Sequence, residues 1–210
     1  MVLSLWERIK GFLFSPSATF DASKEDTLGD ALKYFVVILT IYALLMAIIV
    51  AVTFSLIAGM FGMFGVPAMP FGAATGLAAA VIFFIAALIG GIIAIFISGL
   101  WLHIWVYLVG GRNGVGKTII AIAYGQTPYL LLGWIPIINF VAMIWTLVVE
   151  IIGVRQLHAL TTGKAVIAVI LALIIPLIVF GVLFAVFVMP MMQGPMVYGP
   201  PIGPGMGGLR

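Results

Sequence analysis

The chain has 210 residues, of which 65% are apolar and only 7% charged, with a mean hydropathy of +1.36. Nine basic and six acidic residues could not cover the surface of a soluble domain this size, so lipid is the solvent in which the sequence must be read. The net charge of +3 would suggest nucleic-acid binding in a soluble protein; here the basic residues flank apolar runs, so nucleic acid is excluded as a partner. No cysteine is present, which excludes disulfides and thiol chemistry.

Residues 1–20 come first. Trp6-Glu7-Arg8-Ile9-Lys10 is followed by only a brief apolar stretch before Ser15-Pro16, so a cleaved signal peptide is not expected. Val2, Leu5, Trp6, Ile9, Phe12 and Leu13 share one helical face, predicting an amphipathic helix in the lipid headgroup region that Pro16 ends. Residues 21–33 hold four acids and two lysines and read as a solvated cytoplasmic linker, with Thr27 and Asp30 spaced as a capping box.

A five-helix membrane domain is then expected over 34–188. A helical crossing of a hydrocarbon core of about 30 Å takes on the order of 20 residues. Tyr34–Ala58 is the first such span. Leu77–Val109 is long, so the second span is placed at 81–109, with a bend at Gly90-Gly91. Ile119–Gly133 and Ile137–Gly153 form a tight hairpin as spans three and four, and Ala165–Val188, with Pro176 as a kink, is the fifth. Residues 189–210, rich in Gly, Pro and Met, read as a disordered external tail.

The charges test this count. With five spans and the N-terminus inside, Arg8, Lys10, Lys24, Lys33, Arg112, Lys117, Arg155 and Lys164 are all cytoplasmic, and only Arg210 is external. The expected product is an all-α polytopic protein, N-terminus cytoplasmic and C-terminus external.

Three residue sets resemble the Yip family, the Ypt/Rab-interacting membrane proteins, in its prokaryotic branch. They are Trp6, Pro16 and Phe20; Tyr124-Gly125-Gln126-Thr127-Pro128, which is similar to a Tyr-Ala-x-x-Pro pattern with Gly125 for Ala; and Gly153, His158, Lys164 and Ala165, which match Gly-x4-His-x5-Lys-Ala. The resemblance implies five helices, a cytosolic N-terminus and a role in organising membranes and partner proteins; the short cytosolic N-terminal region adds the expectation of a prokaryotic plasma membrane.

Other motifs have plainer readings. Gly111-Arg112-Asn113-Gly114-Val115-Gly116-Lys117-Thr118 spells a Walker A loop, with Gly111, Gly116, Lys117 and Thr118 in its key places. It joins two membrane spans rather than a strand and a helix, and no Asp follows Asp30 to hold magnesium, so the match is read as coincidence. Glu150 is the one acid within the predicted spans, and His103 stands at similar depth, which makes His103–Glu150 a candidate polar pair. Gln126 is read as the donor for a carbonyl freed by Pro128, with substrate binding as the alternative. Met60, Met63, Met189, Met191, Met192 and Met196 fall outside and are soft ligands suited to Cu(I).

No catalytic residue set emerges and no cofactor is called for. The function expected is a non-enzymatic membrane scaffold, with partners in the bilayer, in cytoplasmic proteins and in a homo-oligomer. The alternative is a transporter or channel for Cu(I) or a small solute.

Overall fold

A computed structural model describes residues 3–64 and 73–192, and every regular element among them is helical. The elements are α1 (Leu5–Phe14), α2 (Pro16–Ala22), α3 (Leu28–Met63), α4 (Ala73–Leu108), α5 (Val115–Gly125), α6 (Thr127–Leu132), α7 (Ile138–Leu157) and α8 (Thr162–Leu183). A π-helical turn, Phe184–Val188, and a last short helix, α9 (Met189–Met192), follow. Four stretches are long and apolar enough to cross a membrane: Leu28–Met63, Gly76–Leu108, Ile138–Leu157 and Thr162–Met192.

The first cap is a reciprocal one. Ser4 Oγ accepts from the Glu7 N–H at 3.3 Å, and Glu7 Oε2 accepts from the Ser4 N–H at 2.8 Å. Pro16 starts α2 rather than merely ending α1, because a proline at the first helical position gives up an N–H that would be orphaned anyway. Thr27 and Asp30 form the capping box their spacing predicts, so α3 begins at Leu28, inside the stretch read as linker. α4 is a single helix through Gly90-Gly91, where a Cβ on Gly91 would come within 2.7 Å of Leu39 of α3. That close approach is the ordinary means by which helices associate in lipid.

The chain divides into two compact units, Met1–Ala172 and Leu173–Arg210. In the first, α3 lies along α4, and α5 is enclosed by α3, α4 and α7. Every residue of α5 from Thr118 to Gly125 is buried. α2 rests on α7 and α1 on α6. The second unit, in its described part, presents apolar side chains outward, Leu177, Phe180 and Phe187 among them. Met189–Met192 is helical; the remainder of the tail predicted to be disordered lies outside the described residues.

At Pro128 and Pro176, where helical hydrogen bonding is interrupted, the freed carbonyl finds another donor. Pro128 has no N–H for the carbonyl of Tyr124, and Thr127 Oγ1 donates to that oxygen at 2.6 Å. Pro176 in α8 likewise leaves the carbonyl of Ala172 without its helical donor, and the Trp101 indole N–H supplies one at 2.8 Å.

Candidate functional site

The most polar buried region lies where α1 and α2 meet the membrane helices. Arg8 and Phe12, one turn apart, are the buried face of α1. Arg8 is 6% exposed and grips Asp26 with both terminal guanidinium nitrogens, Nη2 reaching Oδ1 at 3.1 Å while Nη1 bonds Oδ2. Nη1 also donates to the Tyr124 hydroxyl, which in turn donates to Asp26 Oδ2. Three groups from α1, the α2–α3 loop and α5 thus close a ring of hydrogen bonds.

Charge and burial reinforce one another here. The Asp26 bond, against the opposing effect of burial, holds the Arg8 guanidinium above its ordinary value. Burial alone would raise the Asp26 carboxyl, but the Arg8 and Tyr124 hydrogen bonds and the Arg8 charge outweigh it and hold the group below its usual range.

Aromatic rings wall this ring of bonds. Phe12 stacks on Tyr124 with centroids 4.6 Å apart, Phe20 meets Phe12 edge-on at 4.9 Å, and Tyr34 meets Tyr124 at 5.3 Å. The Tyr34 hydroxyl lies 3.0 Å from Thr127 Oγ1; since that oxygen spends its proton on Tyr124, Tyr34 is the donor. Two glycines make room. A Cβ on Gly153 would come 2.6 Å from Phe20 Cζ, and one on Gly11 would come 2.2 Å from Thr19 Oγ1. Polar bonds then fasten the outside: Gln156 Nε2 to Ser17 Oγ at 2.6 Å, and the Trp145 indole to the Leu13 carbonyl at 2.9 Å.

Beside this junction runs a second polar line. Thr118 Oγ1 sits between His103 Nδ1 at 2.8 Å and His158 Nε2 at 2.9 Å. The hydroxyl has one proton, so it donates to one imidazole and accepts from the other. His158 is 4% exposed, and burial, with a contribution from the nearby His103, pushes its pKa down to about 4.

The loop spelling Walker A folds around these groups. Gly110 and Gly114 take φ of +106° and +83°, a region that suits glycine, and Asn113 Nδ2 donates to the Leu157 carbonyl at 2.7 Å, closing the end of α7. Gly111 lies against His158, and Gly116 has open space about it. Lys117 Nζ binds the Lys24 carbonyl at 2.6 Å, while Thr118 is fully buried between the imidazoles. Both side chains that a phosphate loop would aim at its ligand are engaged elsewhere.

The structure separates the two members of the candidate polar pair: His103 turns to Thr118, and Glu150 accepts from Gln126 Nε2 at 2.8 Å with its Cγ against Gly125. Gln126 therefore does not serve the carbonyl freed by Pro128; Thr127 does. Of the motif residues, Tyr124 and Pro128 anchor the junction, Gly153 seats Phe20, and His158 binds Thr118. Ala165 is fully buried, and Lys164 Nζ passes close to Gly110. Met60, Met63, Met189, Met191 and Met192 are exposed; Met196 lies outside the described residues. Among the described residues no group of three or more His, Asp or Glu could hold a metal ion.

Arg8 and Asp26 as a joint site were not foreseen from the sequence, where Arg8 counts only as an inside charge. The available signal was Tyr124, a phenol in a motif of an apolar helix, which needs a polar partner when buried.

Apolar helices of membrane length built on a buried polar junction define a polytopic integral membrane protein. Residues 10–187 match the Yip1 domain, and the chain belongs to that family, as the tyrosine–proline and glycine–histidine–lysine motifs imply. No curated protein and no solved structure matches it.

Proposed function

We propose that this Yip1-domain protein is a non-enzymatic scaffold whose cytoplasmic surface gathers partner proteins at the bilayer. The observation that carries the reading is the fastening of the N-terminal hairpin to the membrane helices. Arg8, Asp26 and Tyr124 lock it from within, while Ser17–Gln156 and Lys117–Lys24 lock it to α7 and to the 110–118 loop. The N-terminal helices and the 110–118 and 154–164 loops thereby become one surface, rimmed by Arg112, Lys117, Arg155 and Lys164. A preordered surface loses little conformational freedom on binding a partner.

α5 and α6 together form a fifth crossing beside the four long helices. Residues 115–132 are about 27 Å long at 1.5 Å per residue, close to the thickness of the hydrocarbon core. With five crossings, the eight basic residues from Arg8 to Lys164 face a prokaryotic cytoplasm across the plasma membrane and the C-terminus lies outside. α1 lies in the interface, with Trp6 and Phe14, 61% and 81% exposed, turned to lipid.

Cross-linking in native membranes, followed by purification and mass spectrometry against an unrelated five-span protein, tests the proposal. A stoichiometric partner joined through the cytoplasmic loops supports it. Recovery of self-contacts alone removes it in favour of transport of Cu(I) or a small solute.

A further inference from the structure

A groove of about 310 Å3 opens on the side of the first unit, between α3, α4, α5 and α6. Its floor is core: Phe35, Leu39, Ile95, Ile122 and Leu130 line it and are each no more than 6% exposed. The recess thus reaches residues that ordinary lipid-facing positions do not. Its size falls in the range of about 300–1,000 Å3 typical of small-molecule sites.

Three observations identify what fills it. The groove runs along residues 91–98, in the middle of α4, and beside Phe35 and Leu39 of α3, both apolar helices of membrane length, so hydrocarbon is the surrounding medium. Water is a poor occupant, because it needs two to four polar partners. The Ser98 O–H donates to the Ala94 carbonyl at 2.7 Å and Gln126 Nε2 to Glu150 at 2.8 Å, so the few polar groups along the wall already have protein partners. An empty apolar recess would forfeit dispersion contacts along its whole floor.

We infer that this groove is a binding site for one acyl chain of a phospholipid. The chain comes from the leaflet nearest the start of α3, the cytoplasmic leaflet on the orientation proposed above, because Leu39 lies only a few residues inside the polar stretch that ends at Lys33. The Gln126–Glu150 bond engages the amide nitrogen beside the groove, in a lining that is otherwise mostly apolar.

The test uses full-length protein in vesicles of phosphatidylethanolamine and phosphatidylglycerol, doped with a phosphatidylglycerol that carries a diazirine at mid-chain. Photolysis is expected to concentrate adducts on peptides holding residues 91–98 and 122–130. Ala94→Phe and Ser98→Phe, which fill the groove, each lower that yield several-fold, whereas Ile93→Phe on the open lipid face of α4 leaves it unchanged. Adducts spread evenly over every lipid-facing helix in the wild-type protein would mean annular lipid only and would overturn the site. So would a yield indifferent to both filling variants. The wild-type distribution needs no variant to fold, so it decides the question alone.

Discussion

Arg8 and Tyr124, 116 positions apart, share a buried hydrogen bond that ties the first helix of the chain to the centre of the membrane bundle. Both also bind Asp26, so no single member of the three can be removed without leaving a buried polar group short of a partner.

Arg8→Ala therefore destabilises the protein by about 3 kcal/mol, the lower end for breaking a buried pair, since Asp26 keeps some contact with solvent. Tyr124→Phe keeps the stacking on Phe12 and loses about 1–2 kcal/mol. Equilibrium unfolding in mild detergent measures both, and Arg8→Ala combined with Asp26→Asn should cost less than the sum of the two. Strict additivity would show the ion pair to be energetically idle.

The titratable groups give two separate pH windows. His158 is held near 4 against an ordinary 6.5, so the unfolded chain takes up its proton first. Its contribution to stability is whole above 6.5, declines as pH falls towards 4, and changes no further below that. Asp26 is depressed from 3.8, so its contribution stands above that value and is lost as pH falls through the lower folded value. A melting series from pH 8 to pH 3 should show the upper decline shrink in His158→Gln and the lower one shrink in Asp26→Asn.

Gly153→Leu drives a side chain into the ring of Phe20, where even a Cβ would come within 2.6 Å. Overpacking of this kind costs about 1–3 kcal/mol. The strain falls on the seat of α2, so limited proteolysis should cut between Ser15 and Asp26 well before the membrane helices open; simultaneous loss of all protection would contradict a locally seated hairpin.

Thr127→Val and Trp101→Phe each leave a helix carbonyl without its donor, at about 0.6–1.7 kcal/mol in a membrane setting. Thr127→Ser keeps the hydroxyl and should be nearly neutral by the same unfolding measurement.

The cysteine-free background allows the orientation to be read directly. Gly163→Cys should react with a membrane-impermeant maleimide only from the cytoplasmic side, and Gly59→Cys only from the opposite side. The reverse pattern would invert the proposed topology.

Much of the architecture was legible because the hydrophobic runs and charged gaps are long. Thr27 and Asp30, three residues apart, announced the start of α3, and Tyr124 to Pro128 announced both family and break. The role of Arg8 was hidden, because a charge on an amphipathic helix looks the same whether it meets water or a partner 116 residues away. The same holds for Thr118: no local pattern says that a threonine after a lysine will bridge two imidazoles. Gln126 was read as the donor that Thr127 turns out to be, because both can donate to a carbonyl and only the backbone geometry at Pro128 selects between them.

The donor that serves the Ala172 carbonyl has an implication for biogenesis. Trp101 lies on α4, so its indole leaves the ribosome before α8, whose proline-freed carbonyl it serves. α8 can reach its final hydrogen bonding only against an α4 already in place. Insertion in chain order is thereby matched to assembly, and a late segment that arrives without its predecessors carries an unmet carbonyl that marks it as incomplete.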